Sequence, residues 1–265
     1  MAAARKPRAS SRRAPARVSA RTARESPAPE QHPEPGTVAE PPPRPDKVPF
    51  DIDEVLARVR ESVKHFADAA MFALAAHGHD SLFEQLVACI LSIRTRDEVS
   101  LPVSLALLGK ASTPEALARM TPAEIDEVIR PVTFHEAKAY QLHAIAERTR
   151  DELEGKLPCD AQVLQSFKGV GPKCAHLALG IACGHEAISV DIHVHRVTNR
   201  WGYVRARAPE QTMEALEVTL PRNYWVELNR LLVPFGKHVC TGTRPKCSTC
   251  PVLQHCRQVG VTDAR

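Results

Sequence analysis

The chain has 265 residues, 43% of them apolar and 25% charged, with a formal net charge of +4. That apolar content suffices for a real core and excludes a fibrous or wholly disordered chain, and the length allows one large or two modest domains. No stretch approaches the roughly 18 consecutive apolar residues of a membrane helix, so no membrane association is expected.

The charge is unevenly placed. Residues 1–24 hold eight Lys or Arg and no acid, so an overall +4 leaves the remainder at −4. Any nucleic-acid surface on the folded body must therefore be local. Composition leaves three roles open for this Arg- and Ser-rich tail: salt-sensitive phosphate contact, a transit peptide or a solvated arm. Residues 26–49 carry nine prolines, including Pro41-Pro42-Pro43, which favours an extended linker without hydrogen bonds. Residues 1–49 are expected to be a disordered basic and Pro-rich tail.

Structure is expected from Asp51. Ile52, Leu56, Val59, Val63 and Phe66 recur in steps of four and three, an apolar helical stripe. A second helix runs through Phe83, Leu86, Val87, Ile90 and Leu91. Thr121-Pro122-Ala123-Glu124 is a capping box with proline at the first helical position. Further helices are expected near 101–109, 136–151, 161–167, 173–183, 192–201, 210–217 and 222–235, the last stopped by Gly236. Alternating strands and Asn-Gly hairpin turns are absent. The fold class is all-α.

Within 161–183 two helices flank Lys168-Gly169-Val170-Gly171-Pro172. Glycines on either side of one apolar residue permit a sharp turn and close approach to a ligand, while Val170 can plug the joint. Amides at the start of the second helix then favour an anion such as a DNA phosphate. Glycine also serves such corners for packing alone. Lys173 stands in the first turn of that helix, where the positive end of the dipole disfavours a cation; it suits an amine nucleophile or a phosphate grip. Asp191 precedes the apolar pattern Ile192, Val197, Trp201 and is placed as an N-cap. It can also stabilise a sugar cation. His193 and His195 point to different helix faces and do not form a zinc pair.

Near the C-terminus Cys240, Cys247, Cys250 and Cys256 are spaced C-x6-C-x2-C-x5-C. Four thiolates on one short loop suit a [4Fe–4S] cluster; zinc, which usually takes two separated C-x2-C pairs, and two disulfides remain open. Cys89, Cys159, Cys174 and Cys183 are scattered in apolar or helical context and read as buried thiols of a reducing compartment.

Together, Phe167-Lys-Gly-Val-Gly-Pro-Lys173-Cys-Ala, Val190-Asp191-Ile-His193 and the cysteine spacing resemble, in order and separation, the endonuclease III family of DNA glycosylases. The resemblance covers about residues 52–258. It implies a two-lobed helix-hairpin-helix fold, with a central lobe over residues 75–185. Residues 50–74 plus 186–265 would form a second lobe carrying a [4Fe–4S] loop, with duplex DNA in the cleft. By position, Lys173 looks like the nucleophile of a bifunctional glycosylase/AP lyase and Asp191 like the catalytic aspartate. Members that excise adenine opposite oxidised guanine lack the lysine. Gly169, Val170, Gly171, Arg94, Phe134, His135 and His193 are the implied DNA contacts. Arg94 replaces the family's usual glutamine at the position that fills the gap of the flipped base, and Phe134 aligns with an apolar wedge. Lys237, Arg244, Lys246 and Arg257 are candidate phosphate contacts. The implied enzyme is a monomer acting on oxidised pyrimidines in the bacterial cytoplasm at the nucleoid, or in the nucleus or an organelle of a eukaryote. Abasic sites or pyrimidine dimers as targets, or a non-catalytic damage-binding module, are the alternatives.

Overall fold

A capped apolar stripe opens the fold. The Asp51 side chain accepts hydrogen bonds from the backbone N–H groups of Asp53 and Glu54 and starts α1 (Ile52–Val63), whose Val55, Leu56, Val59 and Val63 are buried. The computed structural model describes residues 46–265, so most of the N-terminal tail lies outside the described residues. Eleven more α-helices follow among the described residues: α2 (Ala70–Ala76), α3 (Leu82–Ser92), α4 (Asp97–Leu108), α5 (Pro114–Arg119), α6 (Pro122–Ile129), α7 (His135–Glu152), α8 (Ala161–Gln165), α9 (Pro172–Cys183), α10 (Ile192–Trp201), α11 (Pro209–Thr219) and α12 (Trp225–His238). No strand forms among these residues.

Local chemistry accounts for most of the helix starts. Ser81 with Glu84 and Thr121 with Glu124 close reciprocal capping boxes on α3 and α6. Four expectations need correction. α4 begins at Asp97, ahead of the expected 101, and runs through Pro102; that proline imitates a first-turn signal in the sequence. Gly236 does not end α12, which continues to His238. A Cβ on Gly236 would come within 2.6 Å of His193 Nδ1, so the glycine serves the close approach of α10 and α12. Residues 47–49 are docked and not free: Val48 N–H donates to Gln254 O and Lys47 Nζ to Leu253 O. Phe50 then stacks on Tyr203 with ring centroids 5.0 Å apart.

The fourth correction concerns the cysteines. Cys159 and Cys183 form a disulfide with Cα atoms 6.2 Å apart, whereas Cys89 and Cys174 are buried free thiols. The sequence hides this bridge because its halves lie 24 residues apart, on opposite sides of the glycine hairpin.

Buried side chains gather in two clusters. One spans Met71 to Leu179 and is built mainly by α3, α7 and α9. The other joins α1 to the C-terminal segment, with Val55, Leu56 and Val59 packed beside Trp201, Leu232 and Phe235. The N-terminal helix thus completes the core of the C-terminal part of the chain.

Candidate active site and cysteine cavity

The hairpin is set by a few atoms. Asp160 caps α8 by accepting from Gln162 and Val163 N–H. Phe167 and Val170 sink into the first core, each 5% exposed. Gly169 has φ +82°, and a Cβ there would lie 2.9 Å from Gln141 Nε2, the group that donates to Lys168 O. Gly171 differs: its φ of −94° is open to any residue, and no atom lies within 4 Å of where its Cβ would be. It heads α9 without a side-chain cap. The first amides of α9 therefore keep their orphan donors for a ligand.

Pro172 occupies the first position of α9 and exposed Lys173 the second. Ser189 Oγ donates to Lys173 O at 3.1 Å, tying this turn to the segment before α10. At the head of α10, Asp191 Oδ1 accepts from His193 N–H (2.9 Å) and Val194 N–H (2.8 Å). Both cap bonds use one oxygen, leaving Oδ2 uncommitted to the cap. Lys173 and Asp191 line a single cavity together with Ser92, Asp97 and Asn229. The pair is thus brought together by two helix N-termini.

Asp97 and Asn229 were not anticipated. Asn229 is 2% exposed and its amide reaches toward Ser189 O at 3.5 Å. Asp97 accepts from Lys237 Nζ at 3.2 Å, and Glu98 accepts from the same ammonium at 2.8 Å. Burial opposes the charge on Lys237, but these carboxylates outweigh it and raise its pKa. Lys237 is therefore an ion-pair partner and not a free phosphate contact. Arg244 pairs with Asp263 at 2.9 Å, and Lys246 is exposed.

The other expected DNA contacts divide into two groups. Arg94 and Phe134 are exposed, both with left-handed backbones at φ 55° and 59°, and the guanidinium lies 5.7 Å from the ring centroid. His135 and His193 have protein partners. His135 Nδ1 is 2.5 Å from Asp126 Oδ1, and His193 Nδ1 accepts from Arg196 Nη2 at 3.0 Å. Burial first, then Arg196 and Lys237, lower the His193 pKa against the pull of Asp191, leaving it a neutral acceptor at pH 7. Lys138, not singled out from the sequence, is buried against the carbonyls of Leu91 and Ile93. Desolvation brings its pKa down to about 8.

Some distance along α10, Arg200 donates to Thr241 O (2.6 Å) and Gly242 O (2.7 Å) and points Nη1 at Cys240 Sγ, 3.6 Å away. Cys240, Cys247, Cys250 and Cys256 line one cavity, walled by Trp201, Phe235 and Leu253. Among the described residues, no three His, Cys, Asp or Glu side chains are arranged to hold a single metal ion. Four thiols on one short loop are the donor type of an iron–sulfur cluster and also of zinc. Burial pushes Cys250 up to about 11 and Cys256 up to about 12. Thiolates there need a resident cation, as metal binding provides. The donor set fits.

An all-helical fold among the described residues, a glycine hairpin and a Lys–Asp cavity define a helix-hairpin-helix protein. Residues 87–222 match the family model of the HhH-GPD superfamily base excision DNA repair proteins. The chain is 34% identical over 180 residues to endonuclease III of Thermotoga maritima, covering 68% of this chain and 84% of that protein. It is 34% identical over 245 residues to endonuclease III-like protein 1 of Gallus gallus, covering 88% and 85%. A solved structure of a trapped endonuclease III–DNA covalent intermediate superposes with a TM-score of 0.68 at 27% identity, covering 78% of this chain and 94% of that one. The chain belongs to the endonuclease III family.

Proposed function

We propose that this chain is a bifunctional DNA glycosylase/AP lyase of base excision repair, with Lys173 as nucleophile, Asp191 as its carboxylate partner and oxidised pyrimidines in duplex DNA as substrates. The observation that carries this is the shared cavity of Lys173 and Asp191. A relative 27% identical in sequence has been trapped covalently on DNA, which agrees with an amine nucleophile.

A base inside a duplex is out of reach, so it must leave the stack at a cost of a few kcal/mol, least for a damaged base. The open amides at the head of α9 take a phosphate. Phe134 enters the stack as a wedge, and Arg94, with its planar fork of donors, faces the orphaned partner base. Lys173 Nζ attacks C1′ of the extruded nucleotide and the base departs with the C1′–N bond electrons. The amine then loses a proton and the sugar opens to a Schiff base. Loss of a C2′ proton breaks the bond to the 3′ phosphate by β-elimination. The uncommitted Oδ2 of Asp191 stabilises positive charge growing on the sugar.

The four cysteines are read as ligands of a [4Fe–4S] cluster. Bound there, the cluster would hold the C-terminal loop in its fold; base excision and β-elimination transfer no net electrons.

Borohydride reduction of the Schiff base tests the reading. Wild-type protein should yield a covalent adduct with thymine-glycol duplex, and Lys173→Ala none. An adduct that persists in Lys173→Ala would overturn the assignment. Cleavage of duplexes bearing thymine glycol, dihydrouracil, a pyrimidine dimer or an abasic site, compared side by side, tests the lesion class.

A further inference from the structure

Lys138 has no part in the chemistry above, yet its placement is unusual. It lies on the apolar face of α7 in register with Leu142, Ile145 and Thr149, and is only 5% exposed. Lysines are almost never so buried unless paired, and its hydrogen bonds include no carboxylate. Nζ donates to Leu91 O at 3.0 Å and Ile93 O at 2.7 Å, with Thr95 Oγ1 3.5 Å away. Those carbonyls stand at the C-terminal end of α3, where they lack helical partners and the dipole is negative. An ammonium fits.

The same knot holds a second loop. Thr133 N–H donates to Thr95 Oγ1 at 3.2 Å, so the segment after α3 is fastened to the turn before α7. Each segment ends in an exposed tip with a left-handed backbone: Arg94 on one, Phe134 on the other. Phe134 is 57% exposed. Non-glycine residues keep such a conformation only where the surroundings over-determine it. Here the restraint shared by both loops is the Lys138–Thr95–Thr133 network.

We infer that Lys138 is a positioning residue that locks Arg94 and Phe134 into one rigid two-pronged probe, so that selectivity for a base still stacked in duplex DNA depends on it. The inference deepens the proposed function and rests on it. Lys173 and Asp191 line a cavity to which Lys138 does not contribute. Loss of Lys138 should therefore fall on opening the stack more than on bond cleavage. A lysine that only terminated α3 would affect every substrate alike.

Two substrates separate these roles: thymine glycol paired in a duplex, and an abasic site in a single strand that needs no stack opened. Single-turnover rates and half-saturating enzyme concentrations are measured for wild type, Lys138→Met, Lys138→Arg and Thr95→Val. A second readout is the fluorescence of 2-aminopurine placed beside the lesion, followed on binding in a Lys173→Ala background. With Lys138→Met, the ratio of duplex to single-strand rate should fall about tenfold to a hundredfold, and the fluorescence rise should be lost. Thr95→Val should shift the ratio the same way by less, and Lys138→Arg should recover part of it. If Lys138→Met fails to fold by circular dichroism, the two milder variants carry the comparison. An unchanged ratio, or a parallel loss on both substrates, overturns the inference. Wild-type protein that cuts neither substrate instead overturns the functional reading beneath it.

Discussion

Two helix N-termini face one cavity and solve the same problem in opposite ways. α10 is closed by its own carboxylate: Asp191 Oδ1 takes up the His193 and Val194 amides. α9 has no side-chain cap, and the Cβ position of its leading residue, Gly171, borders open space. One terminus is spent inside the protein and the other keeps its first amides without a side-chain acceptor. On the proposed function, the cap bonds hold in place the charge that Asp191 would bring to the chemistry, and the uncapped amides of α9 are where a phosphate would sit. Lys173 belongs to the open terminus and Asp191 to the closed one.

Substitutions at Asp191 separate the two duties and should give the largest effects. Asn caps about as well as Asp but carries no charge. Asp191→Asn should keep the melting temperature within a few degrees while slowing base excision by roughly 10²–10⁴-fold, the usual span for a proton-transfer or charge-stabilising group. Asp191→Ala should slow it as much and also destabilise the fold by about 1 kcal/mol through the lost cap. Calorimetry beside single-turnover assays checks both. Equal stability in the two variants would mean that the cap contributes nothing, and normal excision by Asp191→Asn would remove the carboxylate from the mechanism.

The far ends of the same helices differ too. α9 finishes on Cys183, bridged to Cys159 ahead of α8, so the covalent loop encloses the whole hairpin and Lys173. Both helices are capped by a left-handed glycine, Gly184 after α9 and Gly202 after α10, and only α9 is also tied covalently. Closing a loop of this length restrains the unfolded chain by about 3 kcal/mol in the chain-entropy account. Reduction with dithiothreitol, or Cys159→Ser, should lower the melting temperature by roughly 6–12 °C at about 2–4 °C per kcal/mol. Coinciding melting curves with and without reductant would deny the bridge any such role.

What the sequence disclosed follows the range of the forces involved. Thr121 and Asp191 announce helix starts because a cap and its amides lie within three residues. The hairpin is legible for the same reason, its turn and its lysine forming one short segment. The cysteine spacing shows a shared centre because all four thiols belong to one loop. Partners distant in sequence left weaker traces. The Asp97–Lys237 pair joins residues 140 apart, and Cys159 with Cys183 look like ordinary scattered thiols. Lys138 did leave a signal, a cation in register with Leu142 and Ile145 on the buried face of α7. Its meaning depends on the carbonyls of α3, which no local pattern reveals. Gly236 misled in the opposite direction: a glycine near a helix end reads as a stop, and here it admits a neighbouring helix.

The hairpin glycines give the finest test of the open terminus. Gly169 carries φ +82°, where a Cβ costs about 1–2 kcal/mol, and the added carbon would also displace the Gln141 amide from Lys168 O. Gly169→Ala should therefore lower stability by that amount, with DNA affinity falling as a consequence. Gly171 carries no such conformational demand and meets no protein atom. Gly171→Ala should leave the melting temperature nearly unchanged, yet weaken binding to abasic duplex several-fold, because the new methyl group intrudes where a phosphate would approach the α9 amides. Titration at fixed salt, with melting curves for both variants, decides the matter. Should Gly171→Ala bind as tightly as wild type, the uncapped end of α9 is a structural accident and the anion sits elsewhere.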